Sequence, residues 1–122
     1  MNDTVLNFDI ETHASVTILS PKGETKQASK IDIGNFGAMD EKLDEIVRDG
    51  CLNLLVDLSS IGYIDSTGVG MFMELIKTMD SKNGRFSLSG YDEKIKRIFK
   101  ILKLDTKVSL FETKREALNE LS

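Results

Sequence analysis

Asp65-Ser66-Thr67-Gly68 is the stretch of this sequence whose residue types and spacing could do chemistry. Two hydroxyls follow a carboxylate. Gly68 and Gly70 lack side chains, so a second protein can come close to the Ser66 hydroxyl. The chemistry open to such a hydroxyl is acceptance of a group. A phosphate there would add about −1.5 to −2 charge beside Asp65. Free amides of a first helical turn could hold it, with a dipole contribution of about 0.3–1 kcal/mol. A partner surface fitted to the bare hydroxyl would then reject the modified one. The same four residues also read as a turn and a helix cap, since serine and threonine before a helix are common caps. The residues alone leave both readings open.

Other chemistries find fewer residues to work with. His13 is the single histidine and Cys51 the single cysteine, so no Cys/His cluster for zinc or iron exists, and no internal disulfide can form. Cys51 opens an apolar run and reads as a small core residue. A nucleophilic role for Ser66 lacks a base: no histidine is near in sequence and no Ser-Lys pair is evident. Gly68-Val69-Gly70 has neither the third glycine nor the spacing of a dinucleotide fingerprint, and no phosphate-binding Gly-x-x-x-x-Gly-Lys loop occurs. Asp65-Ser66-Thr67-Gly68 has one residue too many between Asp and Gly for an aspartic-protease motif, and it has no second copy. These readings point to no catalytic residue, no metal and no cofactor.

The elements that must position the motif alternate between strands and helices. Val5 to Glu11 and Ser15 to Leu19 read as strands, Pro21 to Glu24 as a turn, and Thr25 to Lys30 as a hairpin arm or a surface loop. Ala38 to Arg48 carries Met39, Leu43, Ile46 and Val47 at helical spacing and stops at Gly50. Leu52 to Leu58 is nearly continuous apolar, as expected of a central strand covered on both faces. Thr67 to Asp80 is a helix, with Ser66 or Thr67 as its expected cap. Asn83-Gly84 marks a turn, Phe86 to Ser89 a short strand, and Asp92 the cap of a helix with Ile95, Ile98, Phe99 and Leu102 on one face. Val108 to Phe111 is a last strand. Thr113 to Glu116 forms a capping box for a terminal helix. This order implies an α/β fold with a mostly parallel sheet. Lys94, Lys96, Arg97, Lys100 and Lys103 make one helix basic, which reads as a solvated face that some partner could also use.

The chain has 122 residues and a formal net charge of −4, which fits one domain with an ordinary core. The mild acidity disfavours nucleic acid as a partner. No apolar run approaches the roughly 20 residues that span a bilayer, and Met1 to Thr4 lacks the basic and apolar stretches of a leader. The expectation is a cytoplasmic protein with neither nucleic-acid nor membrane partners.

Leu54 to Gly70 resembles the signature of the bacterial anti-sigma factor antagonists, the STAS domain family. An apolar strand ends in Asp57-Leu58, a few residues pass, and Tyr63-Ile64-Asp65-Ser66-Thr67-Gly68-Val69-Gly70 then opens a helix. Lys94 to Leu104 is similar to the family's next helix and loop, and Phe111 to Leu118 to its C-terminal end; the likeness covers about residues 30–121. The resemblance implies a single STAS-like domain over residues 1–122, with a mixed, mostly parallel sheet of four to five strands and about four helices. It makes Ser66 the phosphorylation site. It places Asp32, Asp65, Ser66, Thr67, Gly68, Val69 and Gly70 on the partner-binding surface. Met71 and Phe72, by their nearness to the motif, read as part of an exposed apolar docking patch on that surface. Ser29 stands where the family usually has glycine, and the Pro21 to Ser29 stretch is longer than usual. The implied partners are an anti-sigma factor that is also a serine kinase, and a PP2C-type phosphatase. On that reading the domain is a substrate and not an enzyme. A second reading of the same likeness is a non-switching interaction domain of a transporter or lipid-transport complex.

Overall fold

The computed structural model describes residues 5–122; the tetrapeptide 1–4, read above for a leader, lies outside them. The chain runs β1 (Asn7–His13), β2 (Val16–Lys22), β3 (Lys30–Ile31), α1 (Phe36–Arg48), β4 (Asn53–Asp57), β5 (Tyr63–Ile64), α2 (Ser66–Ser81), β6 (Arg85–Ser89), α3 (Glu93–Ile101), a 3-10 turn at Leu104–Thr106, β7 (Ser109–Phe111) and α4 (Lys114–Leu121). Five strands form one sheet in the order β1-β2-β4-β6-β7. β1 is antiparallel to β2, and the other pairings are parallel. This is the expected mixed, mostly parallel sheet with four helices.

β4 sits at the centre because both its faces are apolar. Leu54 and Val56 point into a large core with α1, α2 and α3. Leu55 points the other way, into a smaller core with Val16, Ile18, Ala117 and Leu121 under α4. A strand buried on both faces must be nearly continuous apolar, and Leu54 to Val56 are fully buried.

The structure differs from the sequence expectation at several places. β1 starts and ends two residues later than Val5 to Glu11, because its ladder with β2 extends to the pair His13–Val16. Pro21 lies inside β2, not in a turn; it pairs with Phe8 of β1 beyond Leu19, the last β2 residue joined to β4. There only one neighbour flanks the strand, and a missing N–H is tolerated as at an edge. The polar stretch after it is a surface loop ending in β3. Cys51 is half-buried at the core margin, where it lines an open cleft with Ser15, Thr17 and Ile46. Leu102 caps α3 and is partly exposed, so the buried face of that helix rests on Ile95 and Phe99.

The C-terminal ends of β4 and β6 are joined by side chains. Asp57, almost fully buried, accepts a hydrogen bond from the Ser89 hydroxyl at 2.9 Å and one from the Ser59 hydroxyl. Gly90 follows with φ +77°, and a Cβ built there would lie 2.5 Å from Asp57 Oδ1 and 2.9 Å from Ser59 N. Gly90→Ala therefore combines left-handed backbone strain with overpacking, and it is expected to cost about 2–4 kcal/mol. Thermal unfolding checks this: Gly37→Ala, with no atom within 4 Å of the added methyl, should leave Tm at or above the parent value.

Candidate functional site

β3 and β5 pair in parallel as a separate two-stranded ribbon, with Lys30 opposite Tyr63 and Ile31 opposite Ile64. The residues that follow are Asp32 and Asp65, so the ribbon delivers the two carboxylates side by side. The Asp65 amide extends the pairing by donating to Ile31 O at 3.1 Å.

Asp65 is the N-cap of α2. Its backbone is extended, and its Oδ1 accepts from Gly68 N at 3.0 Å. This corrects the assignment of the cap to Ser66 or Thr67: a carboxylate one residue earlier takes that role, and Ser66 becomes the first helical residue. Asp65 Oδ2 accepts from Ile33 N at 3.0 Å. One carboxylate thus ties the start of α2 to the loop between β3 and α1. Charge-assisted bonds of this kind are roughly twice as strong as neutral ones.

Asp32 organises that loop. Its Oδ1 accepts from Gly34 N at 2.9 Å, its amide donates to Asn35 Oδ1 at 2.9 Å, and Asn35 Nδ2 donates to Lys30 O at 2.7 Å. Lys30 Nζ lies 3.6 Å from Asp32 Oδ2. Ser29, fully buried, fastens the longer loop before it: its hydroxyl accepts from Gly23 N at 2.8 Å and donates to Thr25 O, while its carbonyl accepts from Gly62 N at 2.8 Å. A serine at this position closes the extra length of loop against β5.

Ser66 is exposed, and its hydroxyl engages no side chain among the described residues. Thr67 is half-buried and Gly70 exposed. Gly68 is buried against the ribbon: a Cβ there would lie 2.7 Å from Ile64 Cγ2 and 3.0 Å from Ile31 O. Only glycine lets α2 start this close to β3 and β5. Val69, Met71 and Phe72 are buried as well, and Phe72 packs on Phe86 with ring centroids 5.8 Å apart. Met71 and Phe72 are therefore core residues and not an exposed docking patch; the helical turn points them at the sheet.

The exposed apolar side chain beside the motif is Ile33, at 74% exposure. Sequence reasoning passed over it. The signal was Asp32-Ile33-Gly34-Asn35, an Asx-turn composition that closes a loop on its own backbone and leaves the second residue outward. The site is thus a tethered corner in which Ser66, Thr67, Gly70, Ile33 and Asp32 gather at the carboxyl end of the parallel strands, where functional groups of such sheets collect.

The sequence pattern described as the STAS domain matches residues 7–117. The chain belongs to the STAS domain family. The anti-sigma-B factor antagonist of Staphylococcus aureus is 28% identical over 96 residues, covering 79% of this chain and 85% of that protein. Among solved structures, an anti-sigma factor antagonist from Thermotoga maritima superposes with a TM-score of 0.83 at 27% identity, covering 93% of each chain. The Bacillus cell fate determinant SpoIIAA in its phosphorylated form superposes with a TM-score of 0.69 over 95% of this chain and all of that one. Its 16% identity makes this a likeness of fold. Transcription regulation and partner switching fit this STAS domain's family. No helix of the described residues is long and apolar enough to cross a membrane.

Proposed function

We propose that this STAS domain is an anti-sigma factor antagonist whose partner is both anti-sigma factor and serine kinase, and that phosphorylation of Ser66 switches the interaction off. The unmodified domain binds the partner and frees a sigma factor. The kinase transfers the γ-phosphoryl group of ATP to the Ser66 oxygen; the P–O bond to ADP breaks, and the hydroxyl proton leaves. A PP2C-type phosphatase restores the hydroxyl. The domain is the substrate in both reactions, so the catalytic groups sit in its partners, and the cycle runs in the cytoplasm.

The observation that carries this reading is the position of Ser66. Asp65 does the capping, so the Ser66 hydroxyl is left exposed and unengaged at the helix start. A phosphate there meets the positive end of α2 without breaking any bond of the fold. It also stands beside Asp65 and Asp32, so the corner gains a concentrated negative charge that a fitted partner rejects. The names of the relatives support the partner class. Ser66, Thr67, Gly70, Asp32 and Ile33 form the contact surface, with Asp65 holding it together.

Incubation with the cognate kinase and ATP, followed by mass-spectrometric mapping, is expected to find one phosphate, on Ser66. Phosphate on Thr67 or elsewhere would remove the basis of this reading.

A further inference from the structure

We propose that this domain self-associates head to tail, the solvent face of α3 of one copy seating in the groove between α1 and α2 of the next. The inference rests on residues other than those of the Ser66 corner, with Met71 and Glu74 of the groove one helical turn on from Thr67 and Gly70. Charge is strongly segregated along the chain. Residues 94–107 hold six cations and one acid, net +5, while the whole chain carries −4, which leaves −9 on the remainder.

The solvent face of α3 presents Lys94, Arg97 and Ile101 in one line at i, i+3 and i+7, with Lys100 beside them. Lys94, Arg97 and Lys100 are exposed and form no ion pair among the described residues, whereas Lys96 pairs with Glu112 at 3.6 Å. Ile101 is 71% exposed in the middle of these cations. Lys103, the residue after the Leu102 cap, turns the chain into the 3-10 turn at φ 63°, a conformation that favours glycine, and adds another cation near Ile101. Isolated exposed apolar residues are ordinary; what points to a partner is this residue's place on an otherwise cationic line.

The same molecule carries the complementary surface. α1 packs on α2, and the shallow groove between them is lined by Leu43, Val47, Met71 and Leu75, core residues that show only an edge there, with Asp40, Asp44 and Glu74 along its rim and Thr78 beside them. All three rim carboxylates are on exposed residues; Glu74 has Lys77 at 3.5 Å, a weak exposed pair. The groove runs along α1 from Asp40 to Val47, seven residues or roughly 10 Å, the same length as Lys94 to Ile101 on α3. Three carboxylates along the groove match three cations along the helix, and Ile101 would cover the edges of the groove's apolar lining.

α3 cannot fill its own groove, because buried Ile95 and Phe99 hold it to the core. The contact is therefore between copies, and it is heterologous: each copy offers one α3 and one groove, which gives rings or open chains according to whether the rotation closes. A phosphodiester backbone would use the cations but gain nothing from Ile101, and an anionic bilayer would leave the acidic groove without a role.

Sedimentation velocity over a roughly hundredfold range of concentration tests this. The mean mass is expected to rise with concentration at low salt and fall back toward monomer at high salt. K94E/R97E/K100E and D40K/D44K/E74K are each expected to stay monomeric with unchanged circular dichroism. Mixed in equal amounts, they should associate again, because each reversed surface now faces an opposite one. Ile101→Ser should weaken association without reversing any charge, which keeps the test open if a triple variant unfolds. A parent protein that stays monomeric throughout, or a mixture that fails to recover, overturns the proposal. So does an α3 reversal that abolishes binding to phosphatidylglycerol vesicles or to duplex DNA while self-association is unchanged.

Discussion

Ser66→Ala is expected to bind the kinase partner as the parent does and to remain bound when ATP is added. The side-chain oxygen has no hydrogen bond to lose among the described residues, so stability should stay within about 0.5 kcal/mol of the parent. Binding is preserved because the surface around the missing atom is held by Asp65 and the Asp32 loop, neither of which touches the hydroxyl. What disappears is the acceptor. Ser66→Asp is the opposite case: it adds a permanent carboxylate next to Asp65, on a corner already flanked by Asp32. An unpaired charge pressed into a fitted interface costs about 2–5 kcal/mol, so the affinity for the kinase should fall by roughly 30-fold or more. Titration calorimetry with the kinase, with and without ATP, reads both variants. Phosphate uptake by Ser66→Ala, or parent-like affinity of Ser66→Asp, is incompatible with the switch.

Much of the fold was legible because its signals are periodic and long. The continuous apolar run of β4 and the stripes of α1 and α2 each span several residues that must face a core, and the structure buries them. The spacing of Val69, Phe72, Ile76 and Met79 already required Phe72 to face inward, so treating it as a docking residue set its nearness to the motif above the helix's own period. What stayed illegible is short or depends on one atom. β3 has two residues, too few to show an alternation. The choice among Asp65, Ser66 and Thr67 as cap turns on which side chain leaves the helix backbone first, and three consecutive good cap formers carry no local preference. The Asp65 motif stood out in the sequence, and of the loop beside it only Asp32 did, through the family likeness. Ile33 and Asn35 belong to the site only because the ribbon places residue 32 next to residue 65, a contact between segments more than thirty residues apart.

Asp65→Ala is expected to damage the domain and the switch together, and Asp65→Asn less. The carboxylate accepts from two backbone amides on different segments, Gly68 at the start of α2 and Ile33 in the loop after β3. Alanine orphans both. Losing the cap costs about 1 kcal/mol, and losing a charged bond to the loop about 1.5–3 kcal/mol, so the total is about 2.5–4 kcal/mol. At roughly 4 °C per kcal/mol, Tm should fall by about 10–16 °C. Asparagine has one acceptor oxygen in place of two, so it can keep the cap only by releasing the loop. In both variants the Asp32 loop loses its tether while Ser66 stays accessible. The kinase should still phosphorylate Ser66, but with kcat/KM reduced because the loop must be ordered during binding. A general loss of stability would mimic this, and Thr113→Ala separates the two. Thr113 caps α4, its hydroxyl accepting from Glu116 N at 3.1 Å, on the opposite face of the sheet from α2. Its removal should cost about 1 kcal/mol and leave phosphorylation unchanged. If Thr113→Ala slows phosphorylation as much as Asp65→Asn does, the tether is not what presents the site. If only the Asp65 variants are slow, the bond from Asp65 to Ile33 is the link between holding the loop and presenting the serine.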